Sequence, residues 1–172
     1  MTKRLWITST VTAGLLLGST APALAADALD TAGHATPATA AGVLAAPVAA
    51  PDVEAAERAI LARTNALRAS EGKPALVRNA QIDAVAAAWA THMATAGQFQ
   101  HNPDFFRQIP AGWRTAGENI AMNSYDPVAL YTQWQNSPPH RANLVNPAFN
   151  QIGIGVVERG GLYYGVQVFG GY

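Results

Sequence analysis

The chain has 172 residues, about one domain's worth, with 49% hydrophobic and 13% charged side chains. Eleven basic residues balance eleven acidic ones, which argues against a basic nucleic-acid surface and against an acidic tail. Cysteine is absent, so disulfides, thiol chemistry and a cysteine-borne lipid anchor are excluded.

Residues 1–25 read as a secretory leader. Lys3 and Arg4 form a positive start, Leu5 to Leu17 is mostly apolar but broken by Thr8, Ser9, Thr10 and Thr12, and Ala23-Leu24-Ala25 fits small-x-small cleavage. The apolar run is short and interrupted for a membrane span, and no other segment supplies one. The expected product is an extracellular bacterial protein of 147 residues with no transmembrane segment. Loss of Lys3 and Arg4 leaves nine basic against eleven acidic residues, net −2. Residues 26–51, rich in Ala, Pro and Thr and interrupted by Pro37 and Pro47, read as a linker. His34 lies in it and is given no role.

Order is expected over residues 52–172. Asp52 is a helix cap, and Val53, Ala56, Ile60, Thr64 and Leu67 recur at helical spacing, with Arg58, Arg63 and Arg68 mostly off the stripe. Gly72 and Pro74 stop this helix. Asn79 caps a second, whose apolar face is Ile82, Val85, Ala86, Trp89 and Met93 and whose end is Gly97. Asp126-Pro127 signals a third, with Leu130, Tyr131 and Trp134 as its stripe and Pro138-Pro139 as its end; residues 139–144 form one further turn. The period then changes. Gln151 to Val157 and Leu162 to Phe169 alternate as strands around Arg159-Gly160-Gly161, a hairpin. A lone hairpin is marginal, so helices and a further strand at Gly117 to Ala121 must cover it. The fold class is α+β, layered α/β/α.

Between these elements lie polar, turn-rich stretches carrying His101, Glu118 and His140. Neutral imidazoles and a carboxylate suit a zinc-type ion, and the same groups suit acid–base work. His101 and His140 stand 39 residues apart and match no local metal motif, so spacing leaves both readings open beside a purely structural one.

The segments taken together resemble a known family. Thr64-Asn65, the His101 stretch, Gly117-Glu118-Asn119-Ile120-Ala121, Trp134 with Ser137 and His140-Arg141-Ala142-Asn143-Leu144, Phe149, Ile152-Gly153-Ile154-Gly155-Val156 and Tyr164-Gly165-Val166-Gln167-Val168-Phe169-Gly170 fall in the order of the CAP superfamily. These are the cysteine-rich secretory, antigen 5 and pathogenesis-related 1 (SCP-like) proteins, here in a short cysteine-free bacterial form. The resemblance covers Ile60 to Tyr172. It implies a three-layer α/β/α sandwich with a central antiparallel sheet and an open cleft holding two histidines and two acids, where in several members the histidines bind zinc. His101 and His140 match the histidines and Glu118 one acid. The second acidic position is Ser137, which puts two-carboxylate chemistry in doubt. Asn119 is expected to fix a turn, Arg141 and Asn143 to tie loops, and His92 to be structural. Trp89, Trp134, Phe149 and Phe169 are expected in the core and Trp113 at the cleft edge. Gln167 points either to a helix layer or to solvent.

Three functional readings follow. The first is a secreted binding or interaction module for an envelope component, a lipid or another protein, with a cleft able to hold a divalent metal. The second is a metal-assisted, peptidase-like hydrolase, with zinc on His101 and His140 and Glu118 as general base. The third is a metal-stabilised scaffold. Whether the chain is an enzyme stays open at this point, because a fold does not fix a chemistry.

Overall fold

A computed structural model describes residues 52–172 together with the backbone of Arg4–Ile7. The linker assignment and most of the leader assignment lie outside the described residues.

Helix α1 (Val53–Ser70) begins where Asp52 accepts the Ala55 N–H at 3.0 Å, and Glu54 pairs with Arg58 one turn later. Its buried row is Ala56, Ile60, Thr64 and Arg68, each one turn from the last. Arg68 is therefore not off the stripe; it is fully buried. After the two-residue strand β2 (Val77–Arg78), α2 (Ala80–Ala96) starts at Asn79, whose side chain accepts from Gln81 and Ile82, and ends at Gly97 in the left-handed conformation. The short helix α3 (Phe105–Gln108) leads to β3 (Thr115–Asn123). Helix α4 (Ala129–Asn136) begins later than Asp126-Pro127 suggests, because the Asp126 carboxylate closes a local turn on the Val128 N–H. Pro138-Pro139 starts the next helix, α5 (Pro138–Leu144): proline is tolerated there because the first N–H groups of a helix have no carbonyl to bond. The chain closes with the hairpin β4 (Gln151–Arg159) and β5 (Leu162–Gly171), turned by Gly160 and Gly161 at positive φ. Strand β1 is Arg4–Ile7.

The strands form one sheet in the order β1-β3-β5-β4-β2. Its three central strands are antiparallel, with Glu118 opposite Val168 and Gly153 opposite Val168 from the other side. The edges are not antiparallel. β1 runs parallel to β3 and β2 runs parallel to β4. Each edge strand is separated from its neighbour by long stretches of chain, and only such crossovers permit parallel pairing.

Helices cover both faces, as the α/β/α reading requires. On one face α2 lays Ile82, Ala86 and Met93 against Val166, Val168 and Ile120. It sits so close that a Cβ on Gly153 would lie 2.2 Å from the Ile82 carbonyl carbon, and one on Gly155 2.3 Å from the Ala87 nitrogen. On the other face α1, α4 and α5 pack Ile60, Leu130, Trp134 and Leu144 on Ile152, Ile154 and Phe169. Phe149 stacks on Phe169 at 5.2 Å. Trp134, Phe149 and Phe169 are core residues as expected, and Trp113 joins the core rather than the cleft edge, its indole N–H bonded to the Phe106 carbonyl. Trp89 is half-buried and stacks on the exposed His92 at 4.4 Å.

The outer edge of β4 is sealed beyond its pairing with β2. The Ile154 N–H donates to Asp83 at 2.8 Å and the Val156 N–H to Glu57 at 3.0 Å. Arg78 bonds both carboxylates and fixes them in place.

Candidate functional site

Three elements deliver the candidate residues. His101 follows the left-handed end of α2 on a segment pinned by Trp89, whose indole N–H donates to the Gln100 carbonyl at 2.8 Å. Glu118 lies within β3, on the face that α2 covers. His140 lies in the first turn of α5.

Glu118 has no exposed surface. Its Oε1 accepts from His101 Nδ1 at 2.7 Å and from the Asn102 N–H at 2.9 Å. Burial pushes the carboxyl above its ordinary range, and the His101 and Asn102 bonds oppose this without cancelling it. Glu118 Oε2 is buried and makes no hydrogen bond among the described residues. His140 is buried too, and its Nε2 has no hydrogen-bond partner among the described residues. Burial, then the charge of nearby His101, holds its pKa below the ordinary value, so the ring is neutral near pH 7.

Beneath these groups runs a chain of buried side-chain amides. Gln167, on the β5 face opposite Val166 and Val168, points into the helix layer and donates to Thr64 of α1 at 3.3 Å. Its Oε1 accepts from Asn119 Nδ2 at 3.2 Å, and the same Nδ2 donates to the His140 carbonyl at 3.1 Å. Asn143 donates to Asn119 Oδ1 at 2.9 Å and to the Glu118 carbonyl at 3.3 Å. The chain thus ties the backbone of His140 to that of Glu118 across two elements. Asn119 stands in mid-strand, not in a turn, because its amide satisfies acceptors inside the fold. Thr64 and Gln167 were not singled out as site residues from sequence. Their signal is a polar side chain recurring at a core position of an otherwise apolar stripe or strand.

The other candidates sit further out. Ser137 is half-buried at the joint of α4 and α5 and gives its carbonyl to the Arg141 N–H. Arg141 pairs with Glu71 at the surface. An open groove of about 420 Å³ between α1 and α4 is lined by Arg63, Ala66, Leu67, Ser70, Tyr131 and Gln135.

Among the described residues, no three His, Asp or Glu side chains are arranged to hold a metal ion. The donors that fit one are two imidazoles: His140, neutral with an unpartnered buried Nε2, and His101, oriented by a carboxylate. Carboxylate-oriented histidines are the usual surroundings of zinc. Also among the described residues, no helix is long and apolar enough to cross a membrane.

Residues 61–169 match the model of the cysteine-rich secretory protein family, CAP. The chain is 33% identical over 118 residues to the uncharacterized protein YkwD of Bacillus subtilis, a match covering 64% of this chain and 46% of that protein. An extracellular protein of Bacillus anthracis with an SCP domain superposes with a TM-score of 0.63 at 30% identity, covering 69% of this chain and 41% of that one. The chain therefore spans less than half the length of either relative. NaASP2, crystallised with Zn2+, shares the fold at a TM-score of 0.52 and 17% identity, covering 67% of this chain and 79% of that one. The match over residues 61–169, most of the ordered domain, makes the chain a member of the cysteine-rich secretory protein (CAP) family.

Proposed function

We propose that the protein is a secreted CAP-domain binding module whose cleft holds a divalent cation, zinc by its donor chemistry, on His101 and His140. One observation carries this reading: among the described residues the buried His140 Nε2 is unpartnered, and His101, near enough for its charge to act on His140, is held by Glu118. An unmade bond at a buried nitrogen is costly, and a cation would satisfy it. A bound cation supplies an anchoring point for an anionic or carbonyl oxygen of a ligand. Glu118 positions His101 in this reading. Its Oε1 is already committed to two donors, which supports positioning over the general-base role of a hydrolase. The groove between α1 and α4 offers the module a second surface for an envelope component, a lipid or a protein. Export rests on the leader pattern of residues 1–25 and is supported by the extracellular Bacillus anthracis neighbour.

Calorimetric zinc titration of the metal-stripped protein tests the reading, beside His101→Ala and His140→Ala. Sub-micromolar, one-to-one binding lost in both variants is the expected result. A folded protein that takes up no zinc removes the cation and leaves the groove as the binding surface. Peptide hydrolysis by the zinc-loaded protein that disappears in Glu118→Gln would restore the hydrolase.

A further inference from the structure

The sheet has two edges, and they differ. At the β4 edge, Asp83 and Glu57 accept the N–H groups that a further strand would have used. At the other edge β3 is covered by a segment of the leader, with Arg4 to Ile7 pairing in parallel with Thr115 to Glu118. Among the described strands nothing else lies on that side of β3. Cleavage after Ala25 would strip this cover and leave a row of backbone donors and acceptors beside residues that are otherwise buried.

We propose that the β3 edge over Thr115 to Glu118 is an acceptor for an extended, apolar segment of another polypeptide, added as a parallel strand once the leader is gone. The proposal rests on the reading of residues 1–25 as a removable leader. The Arg4–Ile7 backbone already shows the register: its last residue pairs with Glu118. Directly paired residues share a face of the sheet, so a guest residue at that place lies on the Glu118 face, where His101 bonds the carboxylate. Main-chain hydrogen bonds would hold the guest, and the cleft would read one side chain. The segment Arg4-Leu5-Trp6-Ile7, apolar and β-prone after its first residue, is the template for the class of peptide that fits.

The test uses the protein recovered from the medium of a secreting host. Intact mass defines its N-terminus. Backbone hydrogen exchange over Thr115–Glu118 is then followed alone, with an excess of a capped peptide of sequence Lys3 to Thr8, and with the same peptide carrying Trp6→Pro. Expected are loss of residues 1–25, fast exchange at this edge, and slowing on the order of tenfold with the first peptide only. A mass that retains residues 4–7 overturns the proposal together with the leader reading. A cleaved protein whose edge exchanges equally with and without peptide overturns the acceptor while the leader reading stands. Protection that grows with protein concentration and needs no peptide overturns it in favour of pairing between copies.

Discussion

Arg68 carries its guanidinium into the domain interior, where Nε donates to the Pro74 carbonyl and the terminal nitrogens to those of Leu144, Asn146 and Phe149. Burial holds its pKa below the ordinary value. The side chain thereby clamps the α1–β2 and α5–β4 connections to one point. Arg68→Met should cost about 3–5 kcal/mol in urea unfolding, since it leaves buried carbonyls without donors, and Arg68→Lys should recover little because one ammonium cannot reach all four. Sequence periodicity hid this residue: the row Ala56, Ile60, Thr64 continues onto position 68, but a charge there reads as solvent-facing and the stripe was carried to Leu67 instead. Only the ordered family segments group His101, Glu118 and His140, since no local spacing joins them; of that group the structure shows the His101–Glu118 bond. Their titration makes a second prediction. His140 has a folded pKa below its ordinary value near 6.5, so the unfolded chain binds more protons in that window. Its contribution is complete above pH 6.5 and is lost as pH falls below it, through the depressed folded value. Glu118 has the opposite sign: its folded pKa is raised, so stability is full below about 4.5 and declines as pH rises toward the folded value. Urea unfolding at a series of pH values should show both slopes, with His140→Asn removing the first and Glu118→Gln the second. A wild-type profile that both variants reproduce would refute the assignment.

At the scale of elements, the contact of α2 with β4 depends on two hydrogen atoms. Gly153 and Gly155 face the backbone of Ile82, Asp83, Ala86 and Ala87 at distances no side chain could occupy. Gly155→Ala should therefore cost about 3 kcal/mol or more, because backbone cannot move aside as a flexible side chain can. Urea unfolding measures this, and Gly160→Ala, at a turn with open space but positive φ, should cost less. The alternation that marks β4 and β5 was plain in sequence because glycine and β-branched residues occupy opposite faces. α1 and α2 were legible from caps and periodicity. β2 and α3 were not: two and four residues carry no period, and both exist because tertiary partners satisfy their backbones. The Asp126 turn displaces the start of α4, and Pro138, a stop by its sequence pattern, is the first residue of α5.

For the whole molecule, a cation held between α5 and the segment after α2 would bridge parts of the chain far apart in sequence, so zinc should stabilise the fold and not merely occupy it. At zinc a hundredfold above Kd the gain should be about 2.7 kcal/mol, read as a rise in unfolding midpoint reversed by chelator and absent in His140→Ala. No change in midpoint on adding zinc or chelator would count against the site. The layered architecture was legible in outline, while the parallel edges were not, since they depend on crossovers that only the assembled sheet reveals. The sealed margin of β4 has one more effect. A sheet that can be joined from both sides is a seed for fibrils, each added strand offering a fresh surface to the next. Here Arg78, Glu57 and Asp83 close one side with side chains, so stacking of identical domains would halt after a single pairing. The domain thus carries its own stop against polymerisation.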